Sequence, residues 1–288
     1  MVSIGSASWR DAQLRRTEWS RIIAVDGAPV QSAVQVLRAV AARRPGEPVT
    51  YTLRRGDEVF RVAIPVRTFT WRDFRDIFVP MLAVGGFLAF CSGALAMLRP
   101  ELPELRALYM GCAAFGLVLI TGPDQYGPYR FTPLYLMALA AVPPAIFHLA
   151  AAYPWRPGPW ARRAVVASYA LFALVGALLV VLRGHPGAFL ALLYFVYLSL
   201  ANAVLLYAGS LVGALVTARR SRVQLAIALA AVVVSSGLGA LVLVLYPLMT
   251  EPIAPAWIVL PVTLMPVLSG VAFLAVPDAP RARGGVVA

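Results

Sequence analysis

Seven long apolar runs constrain the possible fold of this chain more than any other feature of its sequence. Each is as long, or nearly as long, as the roughly 20 residues that a helix needs to cross a bilayer. They cover residues 77–98, 107–122, 133–153, 164–182, 188–217, 223–246 and 256–276. The composition, 60% hydrophobic and 13% charged, is far from that of soluble domains. The sequence therefore predicts a mainly α membrane protein with a seven-helix transmembrane bundle over residues 79–276. The run at 107–122 is short for a span, and the run at 188–217 is long.

The positive charge orients this bundle. All 25 basic residues are arginines, and the net charge is +12. They lie in the connections between apolar runs and not on one soluble face, which excludes nucleic acid as a partner and makes them topology signals. One side of the predicted membrane has ten: Arg99, Arg106, Arg156, Arg162, Arg163, Arg219, Arg220, Arg222, Arg281 and Arg283. The other has five: Arg67, Arg72, Arg75, Arg130 and Arg183. This bias predicts an N-terminal domain outside a bacterial inner (plasma) membrane and a short cytoplasmic tail at 277–288.

Residues 1–66 precede the runs and read as a small α+β domain. The runs 21–25, 48–53 and 58–66 are rich in β-branched residues and predict strands, and the last two are joined through Arg54-Arg55-Gly56-Asp57, a short glycine-containing hairpin connection. Residues 30–42 have apolar side chains at helical spacing and are stopped by Arg44-Pro45-Gly46. Gly27 can take the positive φ of a tight turn after the first strand.

The motifs Ile22-Ile-Ala-Val-Asp-Gly-Ala-Pro-Val30, Arg44-Pro-Gly-Glu-Pro-Val49 and Arg54-Arg-Gly-Asp-Glu58 make residues 2–66 resemble a bacterial-type PDZ domain. That resemblance implies a domain that holds an extracytoplasmic protein or peptide by adding a strand to its sheet. The groove strand and carboxylate-binding loop of the family would lie upstream of Met1, so the domain is incomplete and no peptide-binding residue is carried over.

Two questions about this part stay open. The domain could be a simple α+β spacer instead of a binding module. An outside location for it also requires a signal peptide or a preceding helix, so we expect that the chain begins late relative to its natural precursor. The alternative is an inverted topology with the N-terminus inside.

The connector at 67–78 separates the soluble composition from the membrane composition. Trp71 and the neighbouring phenylalanines favour the interface between headgroups and hydrocarbon. Residues 67–78 contain neither Gly nor Pro. We expect Trp71, Arg72 and Arg75 to couple the domain to the first membrane helix at this interface.

Two polar residues within the runs are candidate functional positions. His148 lies near the end of the third run, where it could sense protons or contact a ligand, or be a neutral imidazole hydrogen-bonded to a neighbouring helix. Asn202 lies in the fifth run, and we expect it to hydrogen-bond across helices. Gly85-Gly86 predicts a close approach of the first helix to a neighbour.

The sequence does not favour an enzyme. A zinc metalloprotease would need two histidines one turn apart with a glutamate, and the only histidines are His148 and His185. No carboxylate falls inside a predicted run, which disfavours ion-coupled transport. Cys91 and Cys112 lie in successive runs and are expected to pack as small apolar residues. We expect no catalytic residue, metal or cofactor.

The whole arrangement, with Phe147-His148 and Tyr153-Pro154 ending the third run, is similar to the sensory part of bacterial membrane receptors that have an output kinase, phosphatase or cyclase. That similarity implies a sensor in which the PDZ-like domain contacts an extracytoplasmic protein or peptide and the bundle relays the signal to a cytoplasmic signalling partner. No catalytic output domain follows the last run. The alternative is a membrane scaffold or accessory subunit for proteolysis or assembly. The oligomeric state is not predicted.

Overall fold

The computed structural model describes residues 20–66, 71, 74–98, 101–126, 129–153, 158–217, 222–245, 263 and 267–270. The chain forms two compact units. The described residues up to Phe78 form the first unit, and those from Val79 onward form the second.

The first unit contains an antiparallel sheet and one helix. Its strands are β1 (Arg21–Val25), β2 (Ala28–Pro29), β3 (Pro48–Arg55) and β4 (Glu58–Pro65), in the order β2-β1-β3-β4. Helix α1 (Ala33–Ala41) begins at Ser32, whose hydroxyl accepts a hydrogen bond from the Gln35 amide. The predicted strands, helix and α+β class of this domain are therefore present, and the sheet adds a two-residue strand.

Glycine turns place these elements as the sequence predicts. Gly27 has φ +80° beside Asp26 at φ +49°, so both residues of the β1–β2 turn are left-handed, as in a type I′ turn. Gly56 has φ +59° at the first position of the two-residue β3–β4 turn. The register pairs Arg55 with Glu58 across that turn.

The core of this domain is thin. One face of the sheet buries only Val25, Val49, Leu53 and Val62 among the described residues. Helix α1 has no fully buried side chain in its described part: Val36 and Val40 are half-buried, and Val34 and Leu37 are 48% and 47% exposed. The apolar side of α1 is thus only partly used for packing.

The second unit is a bundle of apolar helices. They are α2 (Val79–Leu98), α3 (Pro103–Thr121), α4 (Thr132–Ala152), α5 (Pro159–Val181), α6 (Pro186–Thr217) and α7 (Arg222–Leu245). Short 3₁₀ turns follow α3 at Gly122–Tyr126 and α5 at Leu182–Gly184. Pro103 and Pro159 stand in the first turns of α3 and α5, where the missing N–H costs nothing.

Five of these helices are long and apolar enough to cross a membrane: 79–98, 103–125, 132–152, 159–184 and 187–216. The described residues therefore contain five such spans and not the seven predicted. The sixth predicted run is helical as α7. Within α7, residues Arg222–Val234 form an apolar helix that is shorter than a membrane span. Most of the seventh, 256–276, lies outside the described residues, with a helical turn at residues 267–270. The short tail at 277–288 also lies outside them.

The second run is longer than predicted. Helix α3 begins at Pro103, four residues before the predicted start at Ala107, and with its 3₁₀ turn gives a span of 23 residues. No local thinning of the bilayer is needed for a span of this length. The early start also brings Glu104 into the helix.

Helix α4 is the centre of the bundle and packs against α3, α5 and α6. About 56% of its apolar stretch is inside the protein, against 11% for α6. Both Pro143 and Pro144 are buried inside α4, and each removes an N–H from the helical ladder. The close approach of α5 to α4 depends on small residues: a Cβ on Gly176 of α5 would lie 3.2 Å from the Cβ of Ala140 of α4.

Candidate functional site

One group of polar side chains lies toward the end of the bundle where α3 begins and α4 ends. His148 lies one turn before the end of α4 and is half-buried. The Tyr169 hydroxyl of α5 lies 3.5 Å from its Nδ1, and the two rings are perpendicular with centroids 6.0 Å apart. The contact is at the long limit of a hydrogen bond. His148 thus contacts a neighbouring helix, and both of its predicted roles stay open.

Two residues of α3 add to this cluster. Arg106 is exposed and lies within electrostatic range of His148, and Tyr109 lies within electrostatic range of Tyr169. Tyr109 is tied to α2 through its backbone, because the Ser92 hydroxyl donates a hydrogen bond of 3.0 Å to the Tyr109 carbonyl. The cluster joins α2, α3, α4 and α5 at one end of the bundle.

Glu104 is the carboxylate that the predicted run boundaries left outside the helix. It is 8% exposed in the first turn of α3, where the helix dipole favours a negative charge. Pro103 was the available signal, since proline at the first helical position marks a start upstream of the apolar run. Glu104 therefore belongs to this span although it lies outside the predicted run, as does Asp124 in the 3₁₀ turn that completes the span.

A second group of hydroxyls is fully buried. Tyr207 of α6 and Ser269 have 1% and 0% of their surface exposed. The two side chains are close enough to interact, but neither hydroxyl makes a hydrogen bond that satisfies strict geometry with the described residues. Tyr153, which ends α4, is also fully buried and lies within electrostatic range of Tyr207. Nothing in the sequence pattern pointed to this group, because no local spacing relates residues on separate helices.

Asn202 lies away from the packed interior of the helical unit. It lies at the middle of α6, on the exposed side, and its amide makes no hydrogen bond to the part of the chain that the structure describes. The nearest buried residue in sequence is Ala203, which faces the core. The hydrogen bond that the sequence predicts from Asn202 to another helix is not made within the described residues, and it stays a prediction.

The connector is described only in part. Arg72 lies outside the described residues. Trp71 is 74% exposed and stacks on Phe74 with ring centroids 5.1 Å apart, and Phe74 meets Phe78 edge to face at 5.6 Å. Arg75 is exposed in the π-helical turn Phe74–Phe78, which immediately precedes α2. This aromatic row beside arginine has the composition of a membrane interface.

The described residues contain no candidate metal-binding site. They contain no group of three or more His, Cys, Asp or Glu residues that could hold a metal ion. Cys91 and Cys112 are free thiols, half-buried and buried respectively. Neither a protein-family model, nor a characterised protein, nor a solved structure shows significant similarity to this chain.

Proposed function

We propose that this protein is a membrane-embedded, receptor-like sensor whose N-terminal domain contacts an extracytoplasmic protein or peptide and whose helices relay that contact. The observation that carries the proposal is the exposed apolar side of α1. Val34 and Leu37 are both about half exposed although the domain has only four fully buried core side chains among its described residues. A domain this small would gain stability by burying them, so their exposure favours a binding surface.

The resemblance to bacterial-type PDZ domains supports the same surface. A peptide that runs along α1 would cover Val34, Leu37 and, one turn further, Ala41, which share one side of the helix at i, i+3 and i+7. Arg38 lies next to this stripe and adds a positive charge for an acidic or carboxylate group on the peptide.

The relay would run through the connector into α2. The free thiol of Cys91 lies on α2 and is half-buried, which makes its labelling rate a native reporter of helix movement. The cluster around His148 and Tyr169 is the other point where a small shift would change polar contacts between helices.

The arginine bias supports an outside N-terminal domain and a cytoplasmic C-terminus in a bacterial inner membrane. The seven apolar runs support a bundle of seven helices. Reporter fusions after Arg219 and at Ala288 test this orientation. We expect both reporters to be cytoplasmic, and extracytoplasmic activity at both would reverse the topology.

The binding proposal is tested by a photo-crosslinking residue placed at Leu37 in the full chain in its own membrane. The matched control is the same residue at Arg61, which is exposed on the polar face of the sheet. We expect a discrete product from position 37 only, and its loss in a Val34→Asp variant. If the helices relay this contact, binding of the captured partner must also change the labelling rate of Cys91. Capture of a protease or assembly component with unchanged Cys91 labelling would instead establish a scaffold.

A further inference from the structure

Asn202 is placed where a membrane helix can least accommodate an amide. It stands near the midpoint of α6, which has 32 residues and a length of about 48 Å at 1.5 Å per residue. The surrounding exposed residues are apolar: Leu198 and Leu205 are 70% and 71% exposed. An amide that meets only hydrocarbon loses its hydrogen bonds to water, so this side chain needs a polar partner.

The exposed side of α6 has a regular repeat that includes Asn202. Its residues follow a strict alternation of four and three positions, which is the seam of a left-handed helix pair. The repeat runs through Leu198, Asn202, Leu205, Gly209, Val212 and Val216. Gly209 has no atom within 4 Å of where its Cβ would lie, so the seam is open at that point. This face therefore has both the period and the small residue that close helix pairing uses.

The other elements of the protein contact the opposite side of α6. Its buried residues Ala203, Tyr207, Leu211 and Ala214 form the inward face. Ser269, in the last predicted run, lies close to Tyr207 on that inward face. Ser269 is therefore on the side of α6 away from Asn202, and Asn202 itself is exposed.

We propose that the Asn202 face of α6 is a dimer interface, and that its occupant is α6 of a second copy of this chain. Two copies inserted the same way place Asn202 at the same depth, so a parallel pair brings the two amides together. Each amide has a donor and an acceptor, and an identical partner satisfies both. A two-fold axis along the membrane normal gives this self-complementary arrangement.

The dimer is tested on the full chain in lipid vesicles by energy transfer between donor-labelled and acceptor-labelled copies, with dilution by added lipid. We expect wild-type protein to associate, and Asn202→Leu to weaken association about tenfold. Asn202→Gln keeps the amide and should retain most of the association. Absence of energy transfer in the wild type, or equal association in Asn202→Leu, overturns the proposal.

A second measurement leaves Asn202 intact. In a Cys91→Ala, Cys112→Ala background, Leu205→Cys should give an oxidised dimer, because position 205 is on the seam. The matched control is Leu171→Cys, which is 48% exposed on α5. Equal or greater crosslinking from position 171 would place the contact on another face and contradict the α6 interface.

Discussion

Gly85 of α2 and Gly116 of α3 pack backbone against backbone. A Cβ on Gly85 would lie 2.9 Å from the Gly116 carbonyl oxygen and 2.8 Å from Cγ1 of Ile120. A Cβ on Gly116 would in turn lie 3.0 Å from the Gly85 carbonyl oxygen. Neither backbone can move away without separating the two helices, so this crossing tolerates no side chain.

We therefore expect Gly85→Ala to destabilise the helical unit by about 1–3 kcal/mol, the usual cost of overpacking. The matched control is Gly86→Ala, since a Cβ at Gly86 would meet nothing within 4 Å. That control should be neutral or slightly stabilising because alanine is the better helix former. Unfolding of the purified protein in detergent, followed by circular dichroism, measures both. Equal losses of stability would contradict a specific crossing at Gly85.

The contact between His148 and Tyr169 should be weak but measurable. Its length of 3.5 Å is at the limit of hydrogen bonding, and polar contacts between membrane helices average about 0.6 kcal/mol. A double-mutant cycle with His148→Phe and Tyr169→Phe should therefore give a coupling energy of about 0.5 kcal/mol. Tyr194→Phe, on the exposed side of α6, controls for loss of a tyrosine hydroxyl. Coupling with Tyr194 as large as with Tyr169 would exclude a specific pair.

Asp26 stabilises the turn between β1 and β2 through its backbone conformation and through its side-chain contacts. Its φ is +49°, its Oδ1 accepts a hydrogen bond of 2.8 Å from the Thr50 amide, and its Oδ2 pairs with Arg43 at 2.9 Å. We expect Asp26→Ala to add about 1 kcal/mol of backbone strain to the loss of these contacts. Asp26→Asn should cost less, because asparagine tolerates positive φ and keeps an acceptor for Thr50. The hydrogen-exchange rate of the Thr50 amide, measured in the full protein, compares the two variants. Greater protection of this amide in Asp26→Ala than in Asp26→Asn would refute this account.

The local structure of this chain followed from its sequence wherever one residue type sets one backbone conformation. Gly27, Gly56 and Pro45-Gly46 marked the turns of the small domain, and β1 has the predicted limits. The apolar runs likewise located the helices, because length and hydropathy suffice for that. Helix starts were less accurate, since a proline and polar first turn extend α3 and α5 beyond their apolar parts.

The packing between helices could not be predicted in the same way. The interior and the lipid are equally apolar, so hydrophobicity does not tell an inward face from an outward one. That is why the sequence did not show that Asn202 lies on the exposed side of α6, or that only Gly85 of the Gly85-Gly86 pair lies at a crossing. The partners Tyr169 and Tyr207 are set by tertiary contacts for which the local sequence has no signal.

Acid should weaken the small domain through Glu47. The Arg44 amide donates a hydrogen bond to this carboxylate and Arg43 pairs with it at 2.7 Å, and these contacts lower the pKa of Glu47 from its usual 4.5. A carboxyl with a lowered folded-state pKa stabilises the fold above its unfolded pKa, and the contribution is lost as pH falls through the folded value. We therefore expect protection of the β3 amides, corrected for intrinsic exchange rates, to fall below about pH 4.5.

Glu47→Gln should remove most of that acid dependence in the full protein. Glu58→Gln is the matched control, because Glu58 is more exposed and its contact with Arg55 is longer, at 3.6 Å. If the control flattened the pH profile as much as Glu47→Gln, the dependence would have to arise from general charge and not from the contacts of Glu47.

The buried hydroxyl of Tyr207 gives the last prediction. It is almost completely buried, and Ser269 lies close to it without a hydrogen bond of good geometry among the described residues, so the hydroxyl gains little in return for leaving water. Tyr207→Phe deletes only this oxygen and should leave the free energy of unfolding unchanged or raise it by up to about 1 kcal/mol. Tyr207→Leu opens a cavity at the contact with Ser269 and should lower it by about 2 kcal/mol or more. Unfolding in detergent separates these outcomes, and a loss of more than about 1 kcal/mol in Tyr207→Phe would mean that the hydroxyl has a partner that stabilises the bundle.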